Sequence, residues 1–396
     1  MGAPIVVVGA GLAGWTTVRE FRKLDATTPV VVVTADSGDF YAKPSLSNAF
    51  AQKRLPAQLI STPAAKMVET LNVNLMPHTR VSCLDVGGKT LALQSAEGAS
   101  SLAFSQLVLA TGAQPIRAPM AGDAVDAVRV VNSLDDFAVF HAALRTDAAE
   151  GAEFIAKTIV LIGAGLIGCE FANDLLQAGH RVHVVDPSPR PLAALLPEAA
   201  ALELQKALGD IGANWHFGTT VQAVDRDGEK SLRITLSDGS TLLADTVLSA
   251  IGLRADTAIA AAAGLACERG IVVDEQLQTS APQVYALGDC AQYASAGQRT
   301  LPYVMPVMNA AKALAATLNG TPTALTFPLM PVSIKTPAWP IVVSAAHPTL
   351  AGSWVADALE PSGVWRFLDA AGTQRGFVLT AKHTAKRMEL SKSTVL

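Results

Sequence analysis

With 396 residues, half of them hydrophobic and 16% charged, the chain is too long for one ordinary domain and too apolar for wholesale disorder. A formal net charge of −4 gives no reason to expect nucleic acid as a partner. No apolar run reaches the roughly 18 residues that span a bilayer, and Met1 leads into a strand with no basic start or cleavable segment, so a soluble, cytoplasmic protein is expected.

In chain order, the β-branched run Ile5–Val8 predicts a buried strand, the segment through Leu24 has helical spacing, and Val30–Val33 predicts a second strand. Between strand and helix lie Gly9, Ala10, Gly11, Leu12, Ala13 and Gly14, a GxGxxG turn in the βαβ frame that a dinucleotide requires. Gly9 permits the tight turn, Gly11 lets a pyrophosphate approach the backbone, and Gly14 lets helix lie on strand. The pyrophosphate would sit on the helix N-terminus, where unpaired N–H groups favour an anion. Past the second strand come Thr34, Ala35 and Asp36, the carboxylate standing one residue later than a ribose acceptor should. Further on, "LVLATGAQP" (Leu107–Pro115) is a strand ending in the turn Ala110, Thr111, Gly112.

The fingerprint then repeats. Strand Thr158–Ile162 runs into Gly163, Gly165, Leu166, Ile167 and Gly168, a helix to Gln177 and strand Arg181–Val185. Two copies, each in a βαβ frame, point to two dinucleotides. Asp186 ends the second unit, where a carboxylate accepts a ribose hydroxyl and repels a 2′-phosphate, so NADH is expected over NADPH. Arg190 argues the other way, and a solvated strand end is the plain alternative for Asp186. "LSAIGLRAD" (Leu248–Asp256, with Gly252) mirrors the first Ala-Thr-Gly strand. "TSAPQVYALGDC" (Thr279–Cys290) sets Gly288 and Asp289 just after a strand, and "LPYVMPVMNAAKALAATL" (Leu301–Leu318) predicts a helix with a proline-bounded start.

In this order the stretches resemble the two-dinucleotide flavoprotein reductases, the glutathione-reductase-like superfamily. The resemblance implies an α/β fold of two Rossmann-like domains plus a C-terminal α+β domain. It divides the chain into an FAD domain (1–115 and 256–320), an NAD domain (116–255) and a flavin-covering segment (321–396). It also implies FAD on the first turn, NADH on the second, and Asp289 on the flavin ribityl chain. A helix N-terminus near Val304 would face the flavin pyrimidine, and Val81 belongs to the implied cofactor-binding set.

Relatives that pass electrons to a disulfide need a cysteine beside the ring. Here "YAKPSLSNAF" (Tyr41–Phe50) puts Asn48 at that position, and Cys83, Cys169, Cys267 and Cys290 are too dispersed for a CxxC, zinc or iron–sulfur site. The shape is then similar to reductases of electron-transfer proteins, above all rubredoxin–NAD reductases, through "GAGLIGCEFANDL", "GIVVDEQLQTS", "YVMPVM" and "PVSIKTPAWPIVVS". That resemblance implies hydride transfer from NADH to flavin N5, then single electrons to rubredoxin, feeding a hydroxylase such as an alkane monooxygenase. A ferredoxin reductase of an oxygenase, a flavorubredoxin reductase and a non-catalytic NADH-binding flavoprotein are the alternatives. By the same analogy Lys43 and Glu170 would pair beside N5, a buried lysine needing a carboxylate, against the plain reading of a surface lysine and a structural helix carboxylate. Lys335 would be a second cation, at the N1–O2 edge or stabilising the one-electron-reduced ring, with a solvated lysine as the plain alternative. Lys53, Arg54, Arg299, Lys382, Lys386, Arg387 and Lys392 are candidates for docking an acidic partner, against the plain reading of a solvated charged face.

Overall fold

A computed structural model describes residues 2–144, 155–359 and 363–395. The elements that carry the sites are, in chain order, β1 (Ile5–Val8), α1 (Leu12–Arg22), β2 (Val30–Val33), β3 (Asn74–Met76), β4 (Gln106–Leu109) and β5 (Thr158–Ile162). They continue with α2 (Leu166–Gln177), β6 (Arg181–Asp186), β7 (Ala213–Phe217), β8 (Thr246–Ser249), β9 (Val284–Ala286) and α3 (Val304–Leu318). The expected strands thus form at their expected residues. The first helix stops at Arg22 instead of Leu24, and α3 starts at Val304, with buried Pro306 in its first turn, where no helical N–H is lost.

The chain divides into two compact units. One comprises Met1–Ala42, Ile60–Gln114 and Leu253–Pro328; the other comprises Lys43–Leu59, Pro115–Gly252 and Leu329–Leu396. The C-terminal segment thus lies in the same compact unit as the second βαβ fold, whereas the resemblance set it apart.

In the first unit five parallel strands run in the order β9-β4-β1-β2-β3. Unbroken valine and leucine runs suit strands buried on both faces, which is why β1 and β2 are buried along their whole length. α1 and α3 pack together, and Trp15, Val18 and Phe21 join Leu314 and Leu318 in the core. An antiparallel meander (Arg80–Asp85, Thr90–Ser95, Gly98–Ala103) precedes β4, which returns beside β1.

The second unit repeats the plan. Its parallel sheet runs Val128–Arg129, β8, β5, β6, β7. A second meander (Val221–Asp227, Ser231–Leu236, Thr241–Ala244) precedes β8, which returns beside β5. This unit also holds a five-stranded antiparallel sheet in the order Val332–Ile334, Ile341–Ser344, Gln374–Thr380, Val364–Asp369, Gly352–Ala356. Val342, Val364, Phe377, Leu379 and Leu390 form its core. Among the described residues no helix is long and apolar enough to cross a membrane.

Candidate functional site

The two glycine turns have nearly the same shape. Gly9 and Gly163 stand at φ +108° and +105°, and a Cβ on either would meet a carbonyl oxygen, Ala110 O at 2.2 Å or Ala250 O at 2.7 Å. A Cβ on Gly14 or Gly168 would strike the carbonyl oxygen of Gly9 or Gly163 at 1.9 or 2.0 Å. Packing therefore demands the first and third glycines. The second is different: nothing lies within 4 Å of a Cβ on Gly11 or Gly165. Each middle glycine caps its helix in extended conformation and faces open space. The first helical bonds are Trp15 N–H to Gly11 O and Cys169 N–H to Gly165 O, so the preceding N–H groups have no helical acceptor. An open cradle under unpaired donors fits a dinucleotide pyrophosphate in each unit.

In the first unit Asp36 Oδ1 accepts the Thr34 hydroxyl at 2.6 Å and the Gly38 N–H at 3.0 Å, leaving Oδ2 without a partner among the described residues. Buried Trp15 donates its indole N–H to Gly38 O at 3.0 Å, bracing this loop from α1, while Ala35 is exposed beside it. The turn after β4 is tied down by Ala110 N–H to Val8 O and by the Thr111 hydroxyl to Asp256 O, and Gly112 takes φ +74°. Leu12 and Ala13 open α1, Val81 is half-buried in the meander, and Val304 begins α3, 40% exposed. Gly288 and Asp289 form the turn after β9.

In the second unit Asp186 is not a bare strand end. Its oxygens accept the Ala164 N–H and the Ser188 N–H, each at 2.7 Å, so it clasps the glycine turn and keeps lone pairs for a further donor. Arg190 Nε is buried with no partner among the described residues. Leu166 and Ile167 open α2, Ile167 being exposed, and Gly252 closes the turn after β8, its carbonyl accepting the Ile116 N–H.

The expected pairing of Lys43 with Glu170 is corrected. Glu170, 1% exposed, is ion-paired with Lys335, whose Nζ also donates to Ser47 Oγ at 3.0 Å. The Lys335 N–H reaches the other carboxylate oxygen at 2.9 Å, and the Ser47 hydroxyl donates to Glu170 at 2.7 Å. Lys43 is exposed and donates to Asn132 Oδ1 at 3.2 Å. The physical reason is reach: the short helical turn Lys43–Asn48 directs Ser47 inward and leaves Lys43 at the surface.

Sequence reading missed the rest of this face of α2. Asn173 accepts the Ala338 N–H at 3.0 Å, and Asp174 accepts the N–H groups of Phe50 and Ala51 at 3.0 and 2.9 Å. Burial raises the Asp174 pKa, partly offset by these N–H donors and by Lys335. Glu170, Asn173 and Asp174 stand at i, i+3 and i+4 on one otherwise apolar helix face, and that spacing was the available signal.

All four cysteines are thiols. Cys169 and Cys290 are buried and donate to carbonyls of their own turns, and burial pushes both thiols well above their ordinary range, against any role as thiolates. Asn48, where a cysteine was expected of thiol-dependent relatives, has its Oδ1 buried without a partner among the described residues. Among the described residues no group of three or more His, Cys, Asp or Glu could hold a metal ion. Of the basic candidates, Arg54, Arg299 and Arg387 are engaged with nearby carbonyls; Lys53, Lys382 and Lys392 are exposed, and Lys386 is half-buried.

Residues 3–314 match the family model described as pyridine nucleotide-disulphide oxidoreductase. The chain belongs to that family. Residues 324–394 match a second model, the rubredoxin binding C-terminal domain, which places the antiparallel sheet of this oxidoreductase in a named module. Among curated relatives, the rubredoxin-NAD(+) reductases of Alcanivorax borkumensis and Acinetobacter baylyi are 43% and 41% identical to it, covering 98% of this chain and 98% and 97% of their own. A nitric oxide reductase FlRd-NAD(+) reductase of Vibrio vulnificus is 39% identical over 98% of this chain and 97% of its own. Among solved structures, a ferredoxin reductase from Rhodopseudomonas palustris superposes with TM-score 0.86 at 25% identity, covering all of this oxidoreductase and 96% of that chain. A putidaredoxin reductase in covalent complex with putidaredoxin gives 0.85 at 23% identity, covering 99% and 94%, and shares the fold.

Proposed function

We propose that this oxidoreductase is an FAD-dependent NADH:rubredoxin reductase of the cytoplasm, passing electrons through rubredoxin to a hydroxylase such as an alkane monooxygenase. The observation that carries the reading is the C-terminal sheet matched by the rubredoxin-binding model, in a chain that also has two open glycine cradles. Bound FAD would supply the conversion of a two-electron hydride into single electrons, which a one-iron acceptor requires. The Gly9–Gly14 turn would hold its pyrophosphate and Asp289 its ribityl chain, with Asp36 the candidate ribose acceptor. The Gly163–Gly168 turn would hold NADH, with Asp186 on the adenosine ribose. The Glu170–Lys335 pair takes over the role expected of Lys43 and Glu170, a charged group fixed for the transfer step.

The test is anaerobic mixing of the yellow protein with NADH, then with rubredoxin, following both spectra. Bleaching of flavin by NADH and reduction of rubredoxin are the expected results. Flavin that bleaches while rubredoxin stays oxidised would overturn the reading, and reduction of a [2Fe–2S] ferredoxin in its place would favour the ferredoxin reductase. The relatives named FlRd-NAD(+) reductase support flavorubredoxin as a second acceptor, distinguished by comparing kcat/KM for the two proteins.

A further inference from the structure

The turn that carries Asp289 is braced from within the first unit by one hydroxyl. Between β9 and the short strand Ala291–Tyr293 the chain turns through Gly288–Cys290. Gly288 stands at φ +84°, and a Cβ there would lie 2.8 Å from the Cβ of Ala13, so the turn is wedged against the start of α1. The Gly288 N–H donates to the Tyr293 hydroxyl at 2.7 Å, and that hydroxyl donates to the Gly288 carbonyl at 3.3 Å. The same carbonyl accepts the Ala291 N–H.

Tyr293 is 0% exposed, and its ring meets Phe327 edge-on at 5.3 Å. Burial raises its pKa far above the ordinary phenol, so the neutral hydroxyl both donates and accepts. Packing asks only for an aromatic ring, which phenylalanine would supply. What the hydroxyl adds is a partner for the buried N–H of Gly288, the residue directly before Asp289.

We infer that Tyr293 is a positioning residue for flavin binding: its hydroxyl fixes the Gly288 peptide and thereby aims the Asp289 carboxylate at the ribityl chain. This rests on the ribityl role proposed for Asp289, and the variants below separate the two. FAD affinity is measured by titrating apoprotein of the wild type, Tyr293→Phe, Asp289→Asn and the double variant. Tyr293→Phe should weaken FAD about tenfold, the consequence of a buried donor left unbonded. Asp289→Asn should weaken it too, and the double variant should bind no worse than Asp289→Asn alone, because Tyr293 acts through that carboxylate. Thr279→Val, which deletes another buried hydroxyl of this unit, should lower Tm and leave FAD affinity unchanged. Amide exchange in the apoprotein gives an independent readout: the Gly288 N–H should exchange faster in Tyr293→Phe, while the Leu287 N–H, bonded to Leu109 O, should not. Wild-type affinity in Asp289→Asn would overturn the ribityl reading. Wild-type affinity or wild-type Gly288 exchange in Tyr293→Phe, additive losses in the double variant, or an equal loss in Thr279→Val would overturn the inference itself.

Discussion

A methyl group added at Gly165 and one added at Gly168 should have opposite consequences. At Gly168 the Cβ would fall 2.0 Å from Gly163 O, a backbone atom that cannot move aside. Gly168→Ala should therefore cost the second unit about 3 kcal/mol or more, read as a lowered Tm. At Gly165 the Cβ meets nothing. Gly165→Ala should fold normally, keep its flavin, and raise the KM for NADH about tenfold, close to 1.4 kcal/mol of lost binding. A normal KM in that variant would mean no nucleotide approaches this turn. A second pair of variants tests the buried ion pair. Lys335→Met leaves Glu170 1% exposed without its cation, held by Ser47 and one backbone N–H. Because Lys335 is itself partly exposed, a loss of about 2–3 kcal/mol is expected, with Glu170→Gln/Lys335→Met losing less. Urea unfolding checks both, and a smaller loss in the single variant than in the double one would show that the pair contributes nothing. These residues also mark the limit of what sequence discloses. The glycines were legible because turn, approach and packing each require that residue type. The partner of Glu170 was not, because Lys335 arrives from a sheet far along the chain and nothing local announces it.

At the scale of elements, α2 does more than present a glycine turn. Its polar stripe ties the backbone at Phe50 and Ala51 and at Lys335 and Ala338 to one helix, all within the second unit. The strands were legible from continuous valine runs, whereas this stripe was hidden in a helix that otherwise reads as apolar. The neighbouring strands carry a titratable device. His183 on β6 and His216 on β7 share a contact, Nδ1 to Nε2, at 3.0 Å. Burial lowers the pKa of both; each other's proximity lowers His183 further, and Asp238 partly offsets the effect at His216. His180, beyond the end of α2, is lowered chiefly by burial as well. In all three the fold favours the neutral imidazole, while the unfolded chain titrates near about 6.5. Their stabilising contribution is complete above that pH and is lost as pH falls through it toward the depressed native values. The urea midpoint should drop between about pH 7.5 and 5.5. His183→Gln/His216→Gln should flatten that decline, and an unchanged slope would exclude the pair as its cause.

For the whole molecule, the duplicated glycine turn has a physical rationale. Under the proposed function one unit would retain a resident dinucleotide and the other would exchange a diffusing one, which accounts for the same cradle being built twice with different neighbours. In the first unit Trp15 braces the loop that carries Asp36, while in the second Asp186 clasps the turn directly. Acceptor docking obeys different physics. The formal charge of the chain is −4, yet the exposed lysines Lys382 and Lys392 lie in the segment matched by the rubredoxin-binding model. An acidic partner docking there would be attracted by a local field, not by the net charge, and that attraction would be screened over about 8 Å at physiological salt. Raising the salt from about 50 to 300 mM should lower kcat/KM for rubredoxin about three- to tenfold, with flavin reduction by NADH unchanged. Lys382→Glu/Lys392→Glu should reproduce most of that loss at low salt and show little further salt dependence. Each NADH consumed should reduce two rubredoxins, since the hydride carries two electrons and a single iron takes one. Should both charge reversals leave the salt profile intact, rubredoxin docks elsewhere, and these two lysines are only a solvated face.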